Sequence, residues 1–363
     1  MKLGYPRALT YYDYFPFWAG FFRELDIELV SSPPTHRTMM EVGLKKSPAD
    51  TCLPIKILIG HLNSFTGVDA VFLPRLVSME EGTYNCPKVL GLPESILGSI
   101  PPELEVLSVD INRRSGVRAV EKSLIQWGKC FGKNKHQVLR AFEEGERCLD
   151  AYRTMRKQGW SFEESMAFFE NDNDLPLEIR NRLTLKKPPK TEKDQKIGQE
   201  TSQGKEYRPT IALLGHSYLT YETYANLDLL AKLEDKANLK VIENVSDQVA
   251  AEKQKSLQKS IFWSHSRKIY GAGESYLEDP KVDGIIYLSC YGCGTDSLTN
   301  DLMARRARAR QKPYLVVTLD EHSGEAGMVT RLEAFLDMLE RRIGYENNLP
   351  PHGEFVDCHS GPV

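Results

Sequence analysis

The chain has 363 residues, enough for two domains of ordinary size, with 41% hydrophobic and 27% charged residues. Its 47 basic and 50 acidic residues leave a net charge of −3, which gives no reason to propose nucleic acid as a partner. No apolar run approaches the roughly 20 residues of a membrane helix, and the opening MKLGYPRALTYYDYF lacks the basic and apolar regions of a signal peptide. The expectation is a cytoplasmic globular protein without a membrane span. Seven cysteines are present: Cys52, Cys86, Cys130, Cys148, Cys290, Cys293 and Cys358. An odd number without a signal peptide argues against a secreted disulfide framework and favours metal, cluster or redox chemistry.

In chain order, residues 2–4 read as a strand, 10–25 as a very aromatic helix, 27–30 as a second strand and 38–46 as a second helix. This β-α-β-α opening predicts a parallel, Rossmann-like sheet. Asp50 or Thr51 can cap the next helix and Pro54 suits its first turn, so Cys52 falls near a helix start. Residues 68–73 form a strand, the loop 79–88 carries Cys86-Pro87-Lys88, and 106–109 form a further strand. From 115 to 169 the pattern is helical throughout, which places Cys130 and Cys148 among core residues. Residues 186–207 are Lys, Pro, Gln, Thr and Gly with almost nothing apolar, and read as a flexible linker.

A second β/α unit opens at 210–214 and runs into Gly215-His216. Residues 225–234 read as a helix and 240–243 as a strand, and Ser246 caps one long helix to about residue 270. Residues 284–288 are a strand that stops in Cys290-Tyr291-Gly292-Cys293, before a helix over 298–310. A last strand, 314–319, ends at Asp320-Glu321-His322, and a helix covers 329–343. The fold class is α/β: two Rossmann-like domains with parallel sheets, plus a helical segment, facing each other across a cleft. The boundaries are a first domain over 1–114, helices over 115–185, the linker 186–207, a second domain over 208–345 and a tail over 346–363.

Cys290-Tyr-Gly-Cys293 lies on a Gly-rich turn between a strand's carboxyl end and a helix's amino end. Ligands bind there in open α/β sheets, and the helix N-terminus favours thiolates and anionic clusters. Alone, the CxxC admits a redox pair, two metal ligands or an accident of composition. Cys52, Cys86 and Cys290/Cys293 share a setting, however, each beyond a strand or at a helix start with Pro or Gly beside it. Thiolates gathered at one sheet edge suit an iron–sulfur cluster; the alternative is small apolar residues of an ordinary core. Cys358 belongs to a fraying tail. His216 follows a strand toward the same edge as Cys293, whereas His61, inside a helix, reads as structural. His322, with Glu321 beside it, reads either as a proton donor or as a polar loop residue. Arg7, Lys56 and Lys88 are placed to offset cluster or substrate charge.

These segments together resemble a known family. They are Gly-Tyr-Pro-Arg-Ala-Leu-Thr-Tyr-Tyr-Asp-Tyr-Phe-Pro-Phe-Trp, Ser-Pro-Pro-Thr, Cys52-Leu-Pro-Ile-Lys, Gly60-His61, Phe-Leu-Pro-Arg, Cys86-Pro-Lys, Gly-Cys293-Gly-Thr-Asp-Ser and Asp320-Glu-His-Ser-Gly-Glu-Ala-Gly. The chain is similar to the acyl-CoA dehydratase activase-related family. That family is akin to the iron–sulfur subunits of 2-hydroxyacyl-CoA dehydratases and benzoyl-CoA reductases, and to double-cubane cluster proteins. The resemblance implies a [4Fe–4S] cluster in the cleft, with ligands at Cys52, Cys86 and Cys293. Cys290 is an extra thiol, and Thr295 stands where the family pattern has proline. Cys290 either completes a four-thiol cluster or supports a larger one, a double-cubane [8Fe–9S] cluster being the minority alternative. The resemblance also implies an ATP-hydrolysing iron–sulfur activator as partner, a small-molecule or acyl-CoA substrate, and a homo- or hetero-oligomer. The chain has no Gly-x-x-x-x-Gly-Lys-Ser/Thr loop of its own. A radical acyl-CoA dehydratase-like oxidoreductase is the enzyme version of this reading. Its rivals are a non-catalytic electron-transfer or cluster-carrier subunit and a zinc-binding structural protein.

Overall fold

The computed structural model describes residues 1–170 and 207–348. Cys358 and all but the last residue of the expected linker lie outside them. Strand β1 (Lys2–Tyr5) leads into α1 (Tyr11–Glu24), followed by β2 (Glu28–Ser31), α2 (Arg37–Lys46) and α3 (Leu53–Leu62). Then come β3 (Ala70–Phe72), β4 (Arg75–Ser78), α4 (Pro87–Leu90), β5 (Val106–Leu107) and β6 (Asp110–Asn112). Helices α5 (Val117–Gly128), α6 (Lys135–Lys157) and α7 (Phe162–Glu170) follow. Helix α1 buries Tyr11, Phe15, Trp18, Phe21 and Phe22 in an aromatic core shared with Phe142 and Leu149 of α6. That stripe recurs every three or four residues, which is why this segment is a helix with one dry face.

The second half contains β7 (Thr210–Leu214), the short helices α8 (Ser217–Thr220), α9 (Thr223–Asn226) and α10 (Leu229–Glu234), and β8 (Asn238–Val241). It continues through α11 (Asp247–Lys253), α12 (Ser264–Glu278), β9 (Gly284–Cys290), α13 (Gly294–Ala309), β10 (Tyr314–Leu319) and α14 (Glu325–Asn348). Among the described residues, no helix is long and apolar enough to cross a membrane.

The two halves have the same topology. The first sheet runs β2-β1-β3-β5 and the second β8-β7-β9-β10, with every pairing parallel. Each is a Rossmann-like α/β sheet whose direction of strand addition reverses beside its first strand. Ligands bind at that switch point, outside the carboxyl ends of the strands. Strand β9 is buried at all seven positions, as a central parallel strand must be.

Helix α3 joins the halves. All ten of its residues are buried, and it belongs to one apolar core with Leu213 of β7, Leu288 of β9 and Leu319 of β10. Glycines let α2 lie against it. A Cβ on Gly43 would stand 2.1 Å from Lys56 O, and one on Gly60 would stand 2.4 Å from Met39 O.

Four local expectations change. The long helix from Ser246 breaks between α11 and α12, where Tyr84 N–H donates to Phe262 O and Ser264 N–H donates to Tyr84 O. A bridge to the Cys86 loop thus replaces continued helix. The helix expected over 225–234 also breaks, at Leu227 and Asp228, both in the left-handed region. Asn226 stabilises the break by donating to Leu219 O and Thr220 O and accepting from Leu229 N–H. Strands β4 and β6 pair as a separate two-stranded parallel sheet that alternation did not reveal. Cys148 is buried as expected, but Cys130 is exposed on a 3₁₀ turn rather than in the core.

Candidate metal centre

Four thiols from three separate stretches of sequence gather where the two halves meet. Cys290 is the last residue of β9, and its N–H donates to Asp296 Oδ2 at 2.8 Å. Asp296 Oδ1 accepts from Tyr287 Oη at 2.6 Å. Fully buried in the first turn of α13, Asp296 ties the turn back onto the strand that precedes it. Gly292 occupies φ +73°, which a side chain would strain. Cys293 is then the N-cap residue of α13, with Sγ 3.3 Å from Thr295 Oγ1. Cys52 and Cys86 hold the same position on α3 and α4, each followed by a proline in the first turn.

The thiols sense one another. Burial pushes Cys52 up to about 11, and the nearby Cys293 and Cys86 push the same way, against the N–H of Ile55 and the charge of Lys88. Cys290 is raised by burial and then by Cys52 and Cys293, while the N–H of Leu53 opposes this. Burial also raises Cys86 and Cys293. Without a cation such thiols are neutral at ordinary pH; a bound metal reverses that preference by stabilising thiolates.

His216 sits directly beyond β7, on the other side of the switch point from Cys290. Its ring stacks on Tyr218 at 4.8 Å, and it is only 5% exposed. Neither ring nitrogen has a hydrogen-bond partner among the described residues, although Nε2 is 3.9 Å from Asp296 Oδ1. Burial lowers its pKa to about 4, leaving neutral nitrogens free to ligate. Donor atoms of His216, Cys293 and Asp296 lie within 4.8 Å of one another. A small cavity of about 20 Å³ opens between Cys86, His216, Tyr218 and Thr295.

The remaining candidates divide. Lys56, buried on α3, forms an ion pair with Glu321, just beyond β10. Burial alone would raise Glu321, but the bond to Lys56 outweighs it and holds the carboxyl below its ordinary range. That favours an anion rather than a proton donor. His322 is exposed and donates its backbone N–H to Asp320 Oδ1. Lys88 is exposed and lowers the Cys52 and Cys86 thiols. Arg7 does not join the thiols: it pairs with Glu170 at 3.0 Å and lies over the Tyr11 ring. Sequence reasoning missed Asp296 as the brace of the turn. It also missed Tyr218, whose stacking no local pattern announces.

Fold and site together define a two-domain α/β protein with a thiol-lined centre between its sheets. Residues 2–246 match the family described as CoA enzyme activase uncharacterised domain (DUF2229), and the chain belongs to that family. No curated protein matches the chain. The matched region contains Cys52, Cys86 and His216, whereas Cys290 and Cys293 follow its end.

Proposed function

We propose that the chain is an iron–sulfur protein of CoA-enzyme metabolism, in which Cys52, Cys86, Cys290 and Cys293 hold a [4Fe–4S] cluster. The observation that carries this reading is the convergence of four free thiols, one buried and three half-buried, from three separate segments of chain. The donor set fits the group: thiolate ligands, helix starts and backbone N–H groups beside the sulfurs. Such a cluster, when bound, supplies one-electron transfer at low potential. The chain's own residues fix the CxxC turn through Asp296 and offset anionic charge through Lys88. His216 faces the centre, and neither of its ring nitrogens has a hydrogen-bond partner among the described residues.

A double-cubane cluster has less support. Cys148 packs against Glu144 and Arg23 in the aromatic core, and Cys130 is exposed, so neither extends the thiol group. The missing phosphate loop favours an ATP-hydrolysing partner that delivers the electrons, and the family description favours a CoA enzyme as the protein that receives them. Electron transfer onward to a CoA enzyme and reduction of a small substrate at the cluster are the two versions of this role. Four-thiol ligation favours the first, because it leaves no iron open to substrate.

The proximity of His216, Cys293 and Asp296 favours a second reading, a single zinc ion. Iron and acid-labile sulfide analysis of anaerobically purified protein, with EPR after dithionite reduction, separates the two. The expected result is brown protein with equal iron and sulfide. Cys293→Ser loses the cluster and Cys130→Ser keeps it, while Cys290→Ala shifts the reduced EPR spectrum. Colourless protein carrying stoichiometric zinc sinks the cluster.

A further inference from the structure

A second cavity, of about 300 Å³, lies between α1, α5, α6 and α12, and the thiols do not line it. Its volume is that of a small-molecule site. One wall is apolar and dry, formed by Phe17, Trp18, Ile111, Val120, Phe142 and Leu149, each under 9% exposed. The charged wall carries five carboxylates and five lysine or arginine side chains, but they are unevenly paired. Every carboxylate on it has a partner: Glu146 pairs with Arg113, Asp247 with Lys268 at 3.4 Å and Glu80 with Arg267 at 3.9 Å. Glu243 accepts from Tyr221 Oη at 2.7 Å, and Asp13 from Ser217 Oγ at 2.6 Å. Of the cations, Arg113 and Lys268 are paired as above, and Arg156 donates to Tyr221 Oη at 2.6 Å. Arg153 and Lys157 remain, one turn apart on α6 and therefore on one face. Among the described residues, no carboxylate lies within ion-pair distance of either. Arg153 is half-buried and Lys157 exposed, so the unpaired charge stands on the solvent side of an aromatic wall.

We infer that this cavity binds a small organic anion with an apolar body. The head, a carboxylate or a phosphate monoester, meets Arg153 and Lys157, and the body covers Trp18 and Phe142. A paired cation gains little from such a ligand, because its charge is already met. A half-desolvated, unpaired arginine gains a charge-assisted hydrogen bond. The apolar wall selects against small hydrophilic anions.

The test is calorimetric titration of the full chain with octanoate, octyl phosphate, 1-octanol and octylamine. The two anions are expected to bind, octanol about tenfold more weakly, and octylamine not at all. Whichever anion binds more tightly identifies the headgroup. R153A/K157A, with its fold checked by circular dichroism, loses roughly tenfold or more in octanoate affinity, whereas Arg153→Lys keeps most of it. Octanol binding as tightly as octanoate, no binding by either anion, or an unchanged R153A/K157A affinity overturns the inference. Metal does not enter it. Cys293→Ser is expected to bind octanoate normally, so failure here and failure of the cluster reading are told apart.

Discussion

His61 shows how a buried polar residue is settled by its partners. Ser32 Oγ lies 2.7 Å from Nδ1 and Thr35 Oγ1 lies 2.9 Å from Nε2. Thr35 Oγ1 donates its proton to Glu222, so it accepts from Nε2–H, and Nδ1 accepts from Ser32. The ring is held neutral, and burial, aided by Arg7, pushes its pKa down to about 3 from an ordinary 6.5. A depressed histidine contributes stability that is full above pH 6.5 and is lost as pH falls toward 3. Between pH 7.5 and 4.5 the wild type is therefore expected to lose about 2 kcal/mol more than His61→Gln. Urea unfolding at the two pH values checks this, and parallel losses would refute it. The position of His61 inside a helix was legible in the sequence as structural. Its partners were not, because they come from another loop and, through Glu222, from the other domain. The cysteines divide in the same way: Cys148 was readable as core, but Cys130 was not readable as exposed, since a helical pattern gives no warning of a terminal 3₁₀ turn.

At the scale of elements, α3 organises the centre. It is apolar on every side because it is buried on every side, and Cys52 begins it. Its place depends on backbone contact with α2 through Gly43 and Gly60. Gly43→Ala drives a methyl group into Lys56 O, and the helices must separate. The expected cost is about 2 kcal/mol, with weaker iron retention because Cys52 shifts with the helix. Gly98→Ala, where a Cβ meets nothing within 4 Å, is the control. Equal melting temperatures for the two variants would show that the helix contact yields freely. The strands of the two four-stranded sheets and most helices were legible from periodicity. The break between α11 and α12 was not, because its cause is hydrogen bonding to Tyr84, some 180 residues away in sequence.

The whole molecule is held together by charge as well as by the shared apolar core. Lys56 of the first half pairs with Glu321 of the second, and Tyr12 and Thr35 donate to Glu222 across the same boundary. The Lys56 side chain is only 6% exposed, so Glu321→Ala leaves an ammonium group almost buried without its partner. That change is expected to cost about 3 kcal/mol, while Lys56→Met with Glu321→Ala recovers most of it. A double-mutant cycle in denaturant measures the difference, and strictly additive losses would remove the pair as a domain clasp. The sequence by itself determined the α/β class, the two parallel sheets and the position of Cys52 near a helix start, while Cys86 read only as a loop residue. Those features follow from local periodicity, capping residues and proline. Tertiary structure alone decided that Arg7 turns away to Glu170, that Lys56 pairs with Glu321 and that Asp296 braces the turn. Such relations depend on how the two sheets close over one helix, which no local pattern encodes.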